Sequence, residues 1–244
     1  IGDLLGVPYG EREPLKVWAN TILGALEPIR TPEQLGEGNA AVDEFKYYLR
    51  ELISHKRKHP PSNNDMDVLW ALVQASEAGE GLSEVEILHN SIFMLNAGHD
   101  TTGSLIANGV DLLLRYPAQT AKLAADPTMI KTAVEEMLRF ESPLQIGNRR
   151  TTQQTKIAEQ VIPADTYLHL IIASANRDER QFERADEFLI DRTPNRHLAF
   201  SHGIHTCAGN SVARIEASIA FARLLERFPN FSRAGLTVRP QRSR

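Results

Sequence analysis

Apolar positions recur three and four residues apart along most of the chain, a pattern that predicts a mainly helical fold with a minor β part. Ile1 to Glu27 reads as helix interrupted at Gly6-Val7-Pro8. Ala40 to Lys58 is a second amphipathic helix, with Phe45, Tyr48, Leu49 and Leu52 at helical spacing. Turn residues from His59 to Asp65 form a solvated linker to a further helix over Asp67–Ala78, which Gly79-Glu80-Gly81 ends. Ser83 and Glu86 make a capping box that opens the longest helix, running to Arg115 just before Tyr116-Pro117. Such a helix is roughly 48 Å long and crosses a whole domain. Its middle, Ala97-Gly98-His99-Asp100-Thr101-Thr102-Gly103, puts polar and weakly helix-forming residues where propensity favours leucine or alanine.

Shorter helices follow at Pro117–Ala125 and Thr128–Phe140, and Ser142-Pro143 breaks the pattern. Between Asn148 and Ser174 the period changes to that of strands. Lys156–Ile162 and Thr166–Ala173 flank Pro163-Ala164-Asp165 and are expected to pair as a β-hairpin. Asn176 to Arg196 is irregular and rich in charge. The last helix is expected over Asn210–Arg227, with Val212, Ile215, Ile219 and Ala222 on one face. No repeat divides the chain, so a single domain over residues 1–244 is expected.

Composition narrows the class without naming a chemistry. The 244 residues are 42% hydrophobic and 24% charged, as in an ordinary globular protein. A net charge of -4 gives no basis for binding nucleic acid. No apolar run approaches the roughly 18 residues of a membrane span, and no leader pattern opens the chain. One cysteine excludes an intrachain disulfide and is compatible with a reducing compartment. These bounds point to a soluble, cytoplasmic protein that engages neither nucleic acid nor membrane.

Four groups of residues can carry chemistry. Cys207, in Phe200-Ser201-His202-Gly203-Ile204-His205-Thr206-Cys207-Ala208-Gly209, lies just before a helix N-terminus, where the dipole favours the thiolate. Gly203 and Gly209 let the backbone approach a bound group. By itself the loop leaves three readings open: an inert filler, a nucleophile or a metal ligand. Asp100 and Thr101 inside the long helix form either a proton-delivery pair or a polar kink bonded to backbone or water. Glu136 and Arg139 share a helix face at i and i+3, as a surface salt bridge or as a buried pair needing further partners. Arg149 and Arg150 either clamp a carboxylate or stand in solvent.

The order of these pieces decides between the readings. AGHDTT within the long helix is followed by EEMLR, ESPLQIGNR, ANRDERQF and then FSHGIHTCAG with its helix. In this the chain resembles the cytochrome P450 family, specifically its soluble bacterial branch. The cysteine motif of that family, Phe-x-x-Gly-x-His/Arg-x-Cys-x-Gly, has every fixed position filled. The resemblance is strongest from about Leu88 to Phe228, and Leu4-Leu5-Gly6-Val7-Pro8 also looks like a segment from well inside such proteins. It implies a P450-like helical fold with three parts: helices over 1–82, a central oxygen-binding helix over 83–115 and a haem-binding part over 116–244.

Residue by residue, the resemblance implies that Cys207 is the thiolate ligand of haem iron, whose electron donation favours O–O cleavage. His205 and Arg149 match positions that hold the propionates of haem b, iron protoporphyrin IX. Phe200 would pack beside the sulfur, and Gly209 closes the motif. Asp100 and Thr101 match the acid–alcohol pair that delivers protons for O2 activation, while Ala97 and Gly98 leave room for the O2 co-substrate. Glu136, Arg139 and Arg192 match the structural ion-pair set of the family. Leu144, Gln145 and Ile146 lie where the substrate pocket is often lined.

Two departures are local: Ser201 stands where glycine is commonest in the cysteine loop, and Asp165 replaces a usual turn glycine, a position aspartate can hold. The third is extent, since the resemblance implies that the family's first third and its last strands are absent from this sequence. The expected activity is a haem-thiolate monooxygenase acting on a small organic substrate. No flavin or iron–sulfur motif is present, so electrons would come from a separate ferredoxin or flavodoxin with its reductase. Arg192, Arg196 and Arg214 offer that donor a docking face, against the reading of an ordinary charged surface. The alternative activity is that of a truncated haem-binding fragment without turnover.

Overall fold

A computed structural model describes residues 1–27, 29–62, 65–79 and 81–235. The chain divides into two compact units, Ile1–Asp100 and Thr101–Arg244. The division falls inside the long helix.

The first unit holds α1 (Glu13–Ala25), α2 (Pro32–Lys58), α3 (Val68–Glu77) and the first half of α4 (Glu84–Arg115). α2 begins eight residues before the expected Ala40. Thr31 and Gln34 satisfy one another's backbone N–H groups in a capping box, and Pro32 takes the first helical position. The weak helix former Gly38 is buried in α2 because a side chain there would collide with Ala25 of α1. Close packing of the two helices outweighs the propensity that obscured this start. Phe45, Leu49, Leu69, Trp70, Leu88 and Leu95 lead the core, and Trp18 stacks on Phe45 at 5.0 Å.

One buried ion pair ties this unit's N-terminal turn to its helices. Asp67 caps α3 by accepting from Trp70 N at 2.9 Å and pairs with Lys56 Nζ at 2.6 Å. Gly6 packs directly on that pair with φ of 61°, so a side chain there would be strained and would strike both partners.

The second unit contains the rest of α4, then α5 (Pro117–Ala125), α6 (Ile130–Phe140), four short strands, the single turn α7 (Ile172–Ala175) and α8 (Asn210–Arg227). The expected hairpin is corrected. β2 (Thr155–Ile157) pairs with β3 (Gln160–Ile162), around a tight turn in which Ala158 has φ of 50°. β4 (Tyr167–Ile171) pairs instead with β1 (Ile146–Arg150), in the antiparallel register Ile146↔Ile171 to Arg150↔Tyr167. Thr151 causes the switch. Its backbone exchanges bonds with the 165–166 corner, and its Oγ1 accepts from Thr166 N at 2.8 Å, so the chain returns beside β1. Asp165 adopts φ of 65°, the left-handed conformation that its place in the motif demands.

The core of this unit joins α4, α5, α6 and α8 through Leu105, Leu112, Leu123, Met137, Leu138 and Phe221, extended by the Tyr116, Phe140 and Phe188 rings. α8 has its expected limits, but its expected apolar face is not the one that the core buries. Ala217 and Phe221 are buried, whereas Ile215 and Ile219 are 59% and 58% exposed. Periodicity identified an apolar stripe, but the core of this unit takes the other side of the helix.

The closest helix contact here predicts a sign reversal. Cβ on Gly109 of α4 would collide with the fully buried Phe221 ring and lie 2.8 Å from Met137 Sδ, whereas Cβ on Gly103 of the same helix meets nothing within 4 Å. Gly109→Ala is expected to lose about 1–2 kcal/mol, overpacking outweighing helix propensity. Gly103→Ala is expected to gain up to about 1 kcal/mol. Urea midpoints of the two variants should move in opposite directions; movement in the same direction refutes the packing account.

Candidate functional site

The site is built from α6 outward. Glu136 and Arg139 occupy one buried face of α6, both side chains without solvent exposure. Arg139 grips Glu136 in a fork, Nε to Oε2 and Nη2 to Oε1 both at 2.8 Å. Its remaining donors reach the carbonyls of Asn176, Ala185 and Glu187 at 2.8–3.0 Å. Glu136 in turn accepts from Arg192 Nε at 3.0 and 3.1 Å, from Asn195 Nδ2 at 3.1 Å and from the backbone N–H of Leu189 at 2.9 Å. A buried charge pair is costly unless every donor and acceptor is used. Here the partners come from the irregular segment 176–195, whose course the pair therefore dictates. The expected grouping of Glu136, Arg139 and Arg192 is present in space.

Glu135, beside it in sequence, faces elsewhere because consecutive helical residues point about 100° apart. It receives Arg214 of α8 in a second fork, at 2.7 and 3.0 Å, and lies 3.1 Å from His197 Nε2. His197 Nδ1 accepts from Ala199 N at 3.2 Å, which leaves Nε2 to carry the proton and donate it to Glu135. Burial pushes the Glu135 carboxyl up, but hydrogen bonds from His197 and Arg214 and the charge of Arg214 outweigh it and hold the group at about 2, from an ordinary 4.5. A lowered carboxylate contributes stability that is complete above about pH 4.5 and is lost as the pH falls toward 2. Denaturation midpoints measured across that window should fall in the parent, and Glu135→Gln should flatten the fall. Sequence reading missed Glu135, His197, Asn195 and the partner of Arg214; the Glu135-Glu136 doublet was the one available sign.

These pairs correct the expected donor-docking face. Arg192 is buried on Glu136, and Arg214 is spent on Glu135. Of the three arginines only Arg196 stands exposed without an ion pair among the described residues.

The cysteine loop closes on itself between these supports. Cys207 N donates to Phe200 O at 2.9 Å, and the chain turns through Ser201 at φ 62° and Gly203 at φ 71° into a short turn over Gly203–His205. Ser201 thus holds the left-handed conformation usual for the glycine it replaces. Asn210 opens α8 and donates from Nδ2 to Cys207 O at 2.6 Å. Cys207 is exposed, as are His205 and Ile204. Phe200 packs against the core of its unit, with the Arg214 guanidinium 4.5 Å from the ring centre.

The two candidate clamp arginines part company on β1. Arg150 pairs with Asp165 at 2.6 Å and lies over Tyr167. Arg149, on the opposite face of the strand, bonds only the Asn148 carbonyl, leaving its charge without a carboxylate partner among the described residues. Leu144, Gln145 and Ile146 lead into that strand, with Leu144 exposed and Gln145 O accepting from Ala173 N at 3.1 Å. Ala97, Gly98, Asp100 and Thr101 all lie within α4, as expected; Gly98 is packed by Ile1, whose Cδ1 would lie 3.1 Å from an added Cβ.

Among the described residues, no group of three or more His, Cys, Asp or Glu side chains could hold a metal ion. Residues 24–234 match the family model described as Cytochrome P450. The chain belongs to the cytochrome P450 family. Curated P450 relatives agree: a biotin biosynthesis cytochrome P450 of Bacillus subtilis is 39% identical over 96% of this chain and 58% of its own. The cytochrome P450 monooxygenase PikC of Streptomyces venezuelae is 39% identical over 95% of this chain and 54% of its own. The crystal structure of P450BioI in complex with an acyl carrier protein superposes with a TM-score of 0.91 at 38% identity, covering 98% of this chain and 61% of that one. CYP109E1 from Bacillus megaterium, solved with testosterone, gives a TM-score of 0.89 at 34% identity, over 99% and 64%. The mainly helical fold is thus that of part of a cytochrome P450, and the chain spans little more than half the length of the curated relatives it matches. Family membership implies a haem cofactor, and no described helix is long and apolar enough to cross a membrane.

Proposed function

We propose that this chain carries the haem- and oxygen-binding part of a soluble, cytoplasmic haem-thiolate monooxygenase acting on a small organic substrate. The observation that carries the reading is Cys207, exposed in a closed loop at the start of α8 within a P450 chain. When bound, haem b supplies the activation of O2 from which one oxygen atom enters a C–H or C=C bond. The protein's own part is to hold and protonate. Cys207 Sγ serves as the thiolate ligand. Arg149, without a carboxylate partner among the described residues, and His205 hold the propionates by charge and hydrogen bonding. Phe200 keeps water from the sulfur side.

Asp100 and Thr101, one residue apart on α4, serve as proton source and hydroxyl relay, next to the small Ala97 and Gly98. Leu144, Gln145 and Ile146 line the approach for the substrate. Electrons come from a separate ferredoxin or flavodoxin with its reductase, and the exposed Arg196 is the cation available to steer it. A carbon-monoxide difference spectrum of the reduced, haem-loaded chain tests the reading. The expected result is the red-shifted band of thiolate ligation, and a folded, loaded sample lacking it refutes the proposal. With a surrogate redox pair, organic product separates the monooxygenase from a haem binder without turnover.

A further inference from the structure

Cys207 is exposed, the turn over Gly203–His205 has no buried residue, and the loop meets the core through the partly buried Phe200. What fixes it is a chain of polar contacts that begins on α6. Glu135 receives the Arg214 fork through Nε and Nη2. The third guanidinium nitrogen, Nη1, donates to Asn210 Oδ1 at 2.8 Å. The other end of that amide, Nδ2, donates to Cys207 O at 2.6 Å. The same guanidinium lies 4.5 Å over Phe200, the residue whose carbonyl accepts the Cys207 N–H. One arginine therefore touches both ends of the loop: the Phe200 ring directly and the Cys207 carbonyl through one amide.

We propose that Glu135, Arg214 and Asn210 form a positioning relay for the Cys207 loop, with Arg214 as its hub. The physical argument is one of geometry and charge. A planar fork has donors for two partners at fixed angles, so holding Glu135 bidentately aims Nη1 at Asn210. A cation at Oδ1 polarises the amide and strengthens its donation from Nδ2 to the cysteine carbonyl. The negative charge of Glu135, itself held by His197, balances the cation and pins it to α6. Adjacent glutamates then divide the support of the site: Glu136 orders the segment before His197, and Glu135 orders the loop after it. None of the three residues touches the sulfur, so each is a positioning residue. Their meaning for iron ligation rests on the function proposed above, but the relay itself is testable without haem.

Amide hydrogen exchange on the haem-free full chain reads it directly. In Arg214→Gln, Glu135→Gln and Asn210→Ala, the Cys207 and Asn210 amides should exchange about tenfold faster or more, while the amide of the buried Phe221 changes less than about twofold. Unchanged loop exchange overturns the proposal, and so does an equal rise at Phe221, which marks general loss of stability. Asn210→Ala keeps the Glu135–Arg214 pair, so it reports even where the charge variants fail to fold. Arg214→Lys retains charge without the fork and should stay unprotected; full protection there overturns the relay in favour of simple charge. In the haem-loaded chain, the same variants should shift the reduction potential and lower the thiolate share of the carbon-monoxide band. Failure of that band in the parent would count against the function proposed above and leave the exchange result standing.

Discussion

Arg139→Ala is expected to cost the second unit about 3–5 kcal/mol, the penalty for removing one partner of a buried ion pair that also serves three backbone carbonyls. Folded domains carry only about 5–15 kcal/mol in all, so the variant should be largely unfolded at moderate temperature. The loss is not one contact. Glu136 would keep Arg192, Asn195 and the Leu189 N–H, but the carbonyls of Asn176, Ala185 and Glu187 would each lose a buried donor. Arg139→Lys should recover little, since one ammonium cannot serve a forked carboxylate and three carbonyls at once. The control is Arg223→Ala, which breaks an exposed pair with Glu226 on α8 and should change stability by less than about 1 kcal/mol. Urea unfolding followed by circular dichroism measures both. A loss below about 1 kcal/mol for Arg139→Ala would show that the pair is not what holds segment 176–195.

The second large effect is the reverse in kind. Cys207→Ser should leave the fold intact, because the residue is exposed and surface substitutions away from special features stay within about 0.5 kcal/mol. Its backbone bonds to Phe200 and Asn210 do not need the sulfur. In the haem-loaded protein, however, the thiolate carbon-monoxide band should vanish. Product formation should fall by more than the roughly 10–100-fold typical of losing a group that merely supports a ligand. A retained band would reassign the ligand, and an unfolded variant would return Cys207 to a structural role. Together the two variants separate architecture from chemistry: Arg139 acts on the frame, and Cys207 on the cofactor.

How much of this was legible depended on distance along the chain. The Ser83–Glu86 box and the apolar stripe predicted α4 within a residue, and α8 was expected at its observed limits, because caps and periodicity act within a few residues. Glu136 and Arg139 were readable as a pair at i and i+3; Arg192 joined them only through the family resemblance. Asp165 was read correctly as a left-handed turn residue.

The errors share one cause. β4 was assigned to its neighbour in sequence, whereas Thr151 delivers it to β1. The apolar stripe of α8 was read from its spacing alone, whereas the core takes Ala217 and Phe221 from this helix, Phe221 lying against Gly109. Arg214 was read as a docking cation or an ordinary surface charge, and its partner Glu135, 79 residues away, went unseen. Chain patterns determined which segments are helical, where they begin, and which residues can do chemistry. Tertiary packing alone decided which face each helix buries, which strands pair, and which charges meet. Those choices are set by contacts between groups far apart in sequence, and local propensity carries no record of them.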